Sequence, residues 1–110
     1  MQRETILIID DSSEMRHFLQ NNLLEPLGYQ TLTASDGQGG LAIVKRENPS
    51  LILLDINMPG ISGCDVLSVL QEKHASIPVI MITSHSEASL ILTCFRLGAK
   101  DYLEKPFTAN

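Results

Sequence analysis

Short runs of uniformly apolar residues alternate along this chain with longer stretches in which apolar residues return every three or four positions. Thr5 to Ile9 and Leu51 to Leu54 are runs of the first kind. They are too short for helices and lack the alternation of a half-buried strand, so each reads as a strand covered on both faces. Pro78 to Thr83 is a further such run. Tyr29 to Ala34 alternates more loosely, as an edge or near-edge strand does, and Lys100 to Leu103 makes a short fifth strand. Between them, Ser12 or Ser13 offers an N-cap before Glu14. Met15, Phe18, Leu19, Leu23 and Leu27 then line one face of a first helix that stops near Pro26 and Gly28. Asp36-Gly37 opens a second helix with Leu41, Ala42, Ile43 and Val44 as its apolar positions. Gly39 and Gly40 in its first turns each cost about 1 kcal/mol relative to Ala. Ser62 to His74 predicts a third helix with Val66, Leu67, Val69 and Leu70 inward. A fourth runs from about Ser86 to Leu97, closed by Gly98 where a left-handed residue is wanted.

Strand followed by helix, repeated with the last helix missing, predicts an α/β fold: a doubly wound, five-stranded parallel sheet with helices on both faces. The chain has 110 residues, enough for one domain, 1–110. It stops at Asn110, where Thr108-Ala109-Asn110 would begin a fifth helix. The expectation is that one face of the sheet keeps only the first helix as cover. A continuation of the chain, a partner or a second copy would then lie over the apolar patch left there.

The polar residues that interrupt this pattern gather at one place. Asp10, Asp11, Asp55, Thr83 and Lys105 each lie at or just past the carboxyl end of a predicted strand, and in a parallel sheet those ends share one edge. Three carboxylates side by side repel unless a cation or a lysine neutralises them. Oxygen ligands without His or Cys favour a hard ion such as Mg²⁺. A magnesium ion beside an ammonium and a hydroxyl is a site for a phosphoryl group, with Asp55 the carboxylate best placed to act as nucleophile.

Composition narrows the classes. Hydrophobic residues make up 44% and charged residues 19%, the balance of a chain that folds without metal or disulfide. With 13 acidic against 8 basic residues the formal net charge is -5, which argues against nucleic-acid binding by this segment. No apolar run approaches a membrane span and the N-terminus is no signal peptide, so a cytoplasmic protein is expected. Cys64 and Cys94 stand in apolar surroundings without metal-ligand spacing, and are expected as two buried, reduced thiols rather than a disulfide.

An acidic pair after the first strand, Asp55-x-x-Met58-Pro59-Gly60 after the third, Thr83-Ser84 after the fourth and Lys105-Pro106 after the fifth together resemble the receiver domain of two-component response regulators. That class includes the chemotaxis response regulator. The resemblance covers Thr5 to Phe107 and implies the flavodoxin-like strand order 2-1-3-4-5. It further implies that Asp55 takes a phosphoryl group from a phosphohistidine on a sensor kinase or phosphotransfer protein. Asp11 would hold Mg²⁺ directly and Asp10 through water, with the backbone carbonyl of Asn57 as a further ligand. Lys105 would pair with the acyl phosphate, and Thr83 would swing toward it. Tyr102 matches the family's switch aromatic, so that phosphorylation alters the surface of the fourth helix and fifth strand. Asn57 and His85 flank the site where the family varies and would set the lifetime of the phosphoryl group. A receiver is not an enzyme toward other substrates, since transfer and loss of its phosphoryl group are self-catalysed, and it can belong to a longer chain with an output domain.

Each residue also has a plainer reading. Asp55 alone would be a loop cap, Asp10 and Asp11 helix-capping acids, Thr83 a hydroxyl satisfying a turn, Lys105 a solvated charge and Tyr102 a half-buried aromatic. An aspartyl-phosphate phosphatase of the haloacid dehalogenase type would want Asp-x-Asp, where this chain has Ser12. A flavin module would want a phosphate loop after the first strand, which is lacking. A pseudo-receiver kept only for protein contact is the remaining alternative.

Overall fold

The doubly apolar runs become the middle of one sheet. The computed structural model describes residues 4–58, 60–83 and 88–105, the side chains of 88–90 aside. The strands are β1 (Thr5–Ile9), β2 (Gln30–Ala34), β3 (Leu51–Asp55), β4 (Val79–Thr83) and β5 (Asp101–Glu104). All neighbours are parallel, in the order β2-β1-β3-β4-β5, as expected. Residues buried on both faces are what a central parallel strand needs, and β1, β3 and β4 have them.

Alternate residues of these strands serve two separate cores. Leu7, Ile9, Ile52, Leu54, Val79 and Met81 face α2 (Gly37–Glu47), α3 (Gly63–Lys73) and α4 (Ala88–Arg96) through Val44, Val66, Leu67, Leu70 and Cys94. Ile6, Ile8, Leu53 and Ile82 face the other way. There, among the described residues, the helical partners Met15, Phe18, Leu19 and Leu24 all come from the first helical segment. All four residues of β5 are exposed, and Leu103 is 41% accessible.

The first helix departs from its predicted periodicity. Only Ser13–His17 is α-helix (α1); Phe18–Leu24 is a π-helix and Glu25–Leu27 a 3₁₀ turn, with Gly28 closing it at φ 96°. The Glu25 N–H reaches back five residues to the Gln20 carbonyl. Pro26 supplies a reason: it has no N–H and its ring excludes an α-helical carbonyl four residues earlier, at Asn22. The wider turn advances the inward face, so Leu19 and Leu24, five apart, are buried, while Leu23 and Leu27 lie 40% and 67% exposed. Leu27→Ser is therefore expected to change unfolding free energy by no more than about 0.5 kcal/mol. A loss in urea unfolding of the size typical for a core leucine would contradict this placement.

Helices α2 and α3 start where the sequence places their caps, while the expected start of α4 near Ser86 lies outside the described residues. Asp36 accepts from the Gly39 N–H at 2.7 Å and Ser62 from the Asp65 N–H at 3.2 Å. Gly40 is more than a cost: a Cβ there would lie 2.7 Å from Ile9 Cγ1, so its absence lets α2 approach β1 closely.

Candidate functional site

Backbone hydrogen bonds first fix where each side chain can stand. Asp10 follows β1, and its N–H bonds the Ala34 carbonyl at 3.1 Å. Asp55 ends β3, and the next N–H, of Ile56, bonds the Ile82 carbonyl at 2.9 Å. Ile9 pairs with Leu54, so the following residues, Asp10 and Asp55, sit side by side on adjacent strands. Thr83 ends β4 opposite Glu104, and the Lys105 N–H bonds the Thr83 carbonyl at 2.6 Å. The parallel order thus brings residues from β1, β3, β4 and β5 to one rim.

Burial makes this rim unusual. Asp10, Asp55 and Thr83 are at most 2% exposed. Both aspartates use one oxygen for the loop that leaves them: Asp10 Oδ1 accepts from the Ser12 N–H at 2.9 Å and Asp55 Oδ1 from the Asn57 N–H at 3.2 Å. The capping role is therefore real for both, and it leaves their second oxygens for other work. Lys105 Nζ stands 2.8 Å from Asp10 Oδ2 and 3.6 Å from Asp55 Oδ2, with its side chain 15% exposed. Its approach to Asp10 Oδ2 is that of an ion pair without hydrogen-bond angles, so this buried oxygen has no hydrogen bond. Asp11 is exposed, yet its carboxylate lies within 4.8 Å of those of Asp10 and Asp55.

One ammonium does not balance three acids. Burial above all, and then the Asp10 charge, push the Asp55 carboxyl up from 3.8 to about 7. The Lys105 ammonium and the Asn57 N–H oppose that rise, while the Asp11 carboxyl adds to it. Three carboxylates that each bring an oxygen within 4.8 Å of the others, with no His or Cys among them, are a donor set that fits a hard divalent cation.

Of the remaining predicted residues, Asn57 is exposed beside Asp55. Tyr102 is 37% exposed, with its ring edge-on to Phe95 at 6.1 Å between centroids. His85, Pro59, Ser84, Pro106 and Phe107 lie outside the described residues. Two contributors carry no motif signal. Arg16 Nη1 donates to the Asp10 carbonyl at 2.8 Å, tethering the loop between β1 and α1 from six residues away. Gly63 begins α3 directly against the main chain of Asp55 and Ile56, where a Cβ would meet the Asp55 carbonyl oxygen. A glycine just inside a capped helix, where it costs stability, was the available clue to Gly63.

An open parallel sheet that presents an acidic pair, a buried aspartate and a lysine from three strand ends is the arrangement expected above for a receiver. The family model described as the response regulator receiver domain matches residues 6–110, and the chain belongs to that family. Among sequence relatives, a probable transcriptional regulator ycf27 of Porphyridium aerugineum is 43% identical over 98% of this chain, but over only 44% of its own length. The DNA-binding transcriptional regulator NtrC of Salmonella typhimurium is 36% identical over 97% of this chain and 23% of its own. The chain thus spans less than half the length of these curated relatives. Among solved structures, the receiver domain of NtrX from Brucella abortus superposes with a TM-score of 0.87 at 34% identity, covering 94% of this chain and 88% of that one. The Vibrio cholerae chemotaxis protein CheY4 gives a TM-score of 0.91 at 27% identity, covering 97% and 90%.

Proposed function

We propose that this domain is a phosphoacceptor: Asp55 takes a phosphoryl group from a phosphohistidine on a sensor histidine kinase or phosphotransfer protein. The observation that carries this is the Lys105 ammonium set between the buried second oxygens of Asp10 and Asp55, with the Asp11 carboxylate alongside. In the transfer, an Asp55 carboxylate oxygen forms a bond to phosphorus as the phosphorus–nitrogen bond breaks, and the histidine nitrogen recovers its lone pair. Asp10, Asp11 and Asp55, with the backbone carbonyl of Asn57, would hold Mg²⁺. When bound, that ion supplies positive charge against the carboxylates and the phosphoryl oxygens. Lys105 neutralises the acyl phosphate from the β5 side, and Thr83 donates to a phosphoryl oxygen. Transfer onto Asp55 and later loss of the phosphoryl group are catalysed by the domain's own residues. His85 and Asn57 set how long the phosphoryl group survives.

The exposed Leu92, Phe95, Tyr102 and Leu103 form the surface that answers, with Tyr102 moving inward as Thr83 turns toward phosphate. The domain works in the cytoplasm, as part of a longer chain whose output domain it controls, and relatives named as transcriptional regulators favour that over a free-standing chemotaxis protein. Incubation with acetyl phosphate and Mg²⁺ tests the proposal: the intact mass should rise by one phosphoryl group. A folded protein that gains none would be a pseudo-receiver, and the proposal would fail.

A further inference from the structure

Two thiols thirty residues apart in sequence meet where α3 packs on α4. Cys64 is the second residue of α3 and only partly buried, which departs from the fully buried pair expected from sequence. Cys94, in the last turns of α4, is 2% exposed. Their sulfurs are 3.6 Å apart, one S–H donating to the other sulfur, and both are free thiols. We propose that this pair is a redox modification site, which a hydroperoxide converts to an intrachain disulfide tying the start of α3 to the end of α4.

The geometry assigns the two sulfurs different parts. Cys64 has access to solvent and meets the oxidant. Its thiolate attacks one peroxide oxygen, the O–O bond breaks, and the departing oxygen leaves as water or alcohol with the proton that Cys64 gave up. Cys64 is then a sulfenic acid. Cys94, already in contact, attacks that sulfur; the S–O bond breaks, and hydroxide leaves as water with the Cys94 proton. Two thiols and one hydroperoxide thus become one disulfide and two hydroxylic products, the sulfurs supplying both electrons. Forming the bond requires the sulfurs to close from 3.6 Å to about 2.05 Å. Burial, and then the neighbouring Cys64, push the Cys94 thiol up to about 12. Cys94 is thus shielded from bulk oxidant by burial and gives up its proton only as it attacks the Cys64 sulfur, 3.6 Å away.

The bridge would act on the helix that carries exposed Leu92 and Phe95. Cys94 adjoins Phe95, whose ring meets Tyr102, and its carbonyl accepts the Ala99 N–H at 3.0 Å. A disulfide there fixes the end of α4 and the turn into β5. If the receiver proposal holds, on which this consequence alone rests, the oxidised domain keeps α4 in place whether or not Asp55 carries phosphate.

The test is hydrogen peroxide treatment of the reduced protein in chelator, followed by intact mass, thiol alkylation and peptide mapping. The expected result is the loss of two hydrogens in mass, disappearance of both thiols together, one linked Cys64–Cys94 peptide and full reversal by dithiothreitol. Cys64→Ser should prevent all of this while Cys94 stays alkylatable after denaturation. Addition of oxygen to each sulfur without linkage, or linkage only between molecules, would overturn the site. Asp55→Asn should cross-link as wild type does. A protein that cross-links but takes no phosphoryl group would leave this site standing and remove the receiver proposal. One that takes phosphate and never cross-links would do the reverse.

Discussion

Asp55→Asn is expected to abolish phosphoryl uptake and, without divalent cation, to stabilise the domain at pH 8 by on the order of 2–4 kcal/mol. The loss of uptake follows because an amide oxygen cannot form the acyl phosphate. The gain in stability follows from the carboxyl's environment, which lifts it from 3.8 to about 7 through burial and the Asp10 charge. An acid whose folded-state value is raised holds its proton in the folded protein after the unfolded chain has lost it. Its contribution is thus most favourable below about pH 4 and declines as pH rises toward 7. Removing the charge removes that decline, so the variant and wild type should converge near pH 4 and diverge by pH 8. Urea unfolding in chelator at both values reads the difference directly. A constant difference across pH, or a variant less stable at pH 8, would refute the view that uncompensated carboxylates strain this rim. Added Mg²⁺ should raise the stability of wild type more than that of the variant, because a cation held only by the folded state adds to its stability.

Gly63→Ala should lower stability by about 1–3 kcal/mol and slow phosphoryl uptake by roughly 10- to 100-fold. A Cβ at this position would collide with the Asp55 carbonyl oxygen and lie 2.7 Å from Ile56 Cα. Both obstacles are main chain, so no side-chain rotation relieves them, and α3 or Asp55 itself must shift. Gly28→Ala is the matching control. Its φ of 96° makes any side chain strained, about 1–2 kcal/mol, but the space around it is open and distant from the rim. It should lose stability with unchanged uptake. A Gly63→Ala protein with wild-type uptake would show that α3 can move away without carrying Asp55 along.

The strands and the rim were legible because they depend on local facts. Runs such as Leu51–Leu54 admit one placement, and polar residues after such runs must fall on a common edge once the sheet is parallel. What stayed hidden depended on partners. The phase of the first helix followed from Pro26 opening the turn before it, so Leu23 and Leu27 took outward positions that a regular period assigns to the core. Gly40 and Gly63 look costly in isolation and are required only because Ile9 and Asp55 stand against them. Arg16 reaches a carbonyl, which no pattern of side-chain types reveals. Cys64 and Cys94 gave no spacing to suggest that they touch.

Lys105 joins acids that the ribosome makes much earlier. Asp10 and Asp55 emerge on the first and third strands, and the ammonium that offsets them arrives only with the residue after the fifth. A nascent chain lacking that residue has no ammonium between these acids, so closing the strand ends over them costs more. A product stalled before Lys105 should therefore present a more open, protease-sensitive rim.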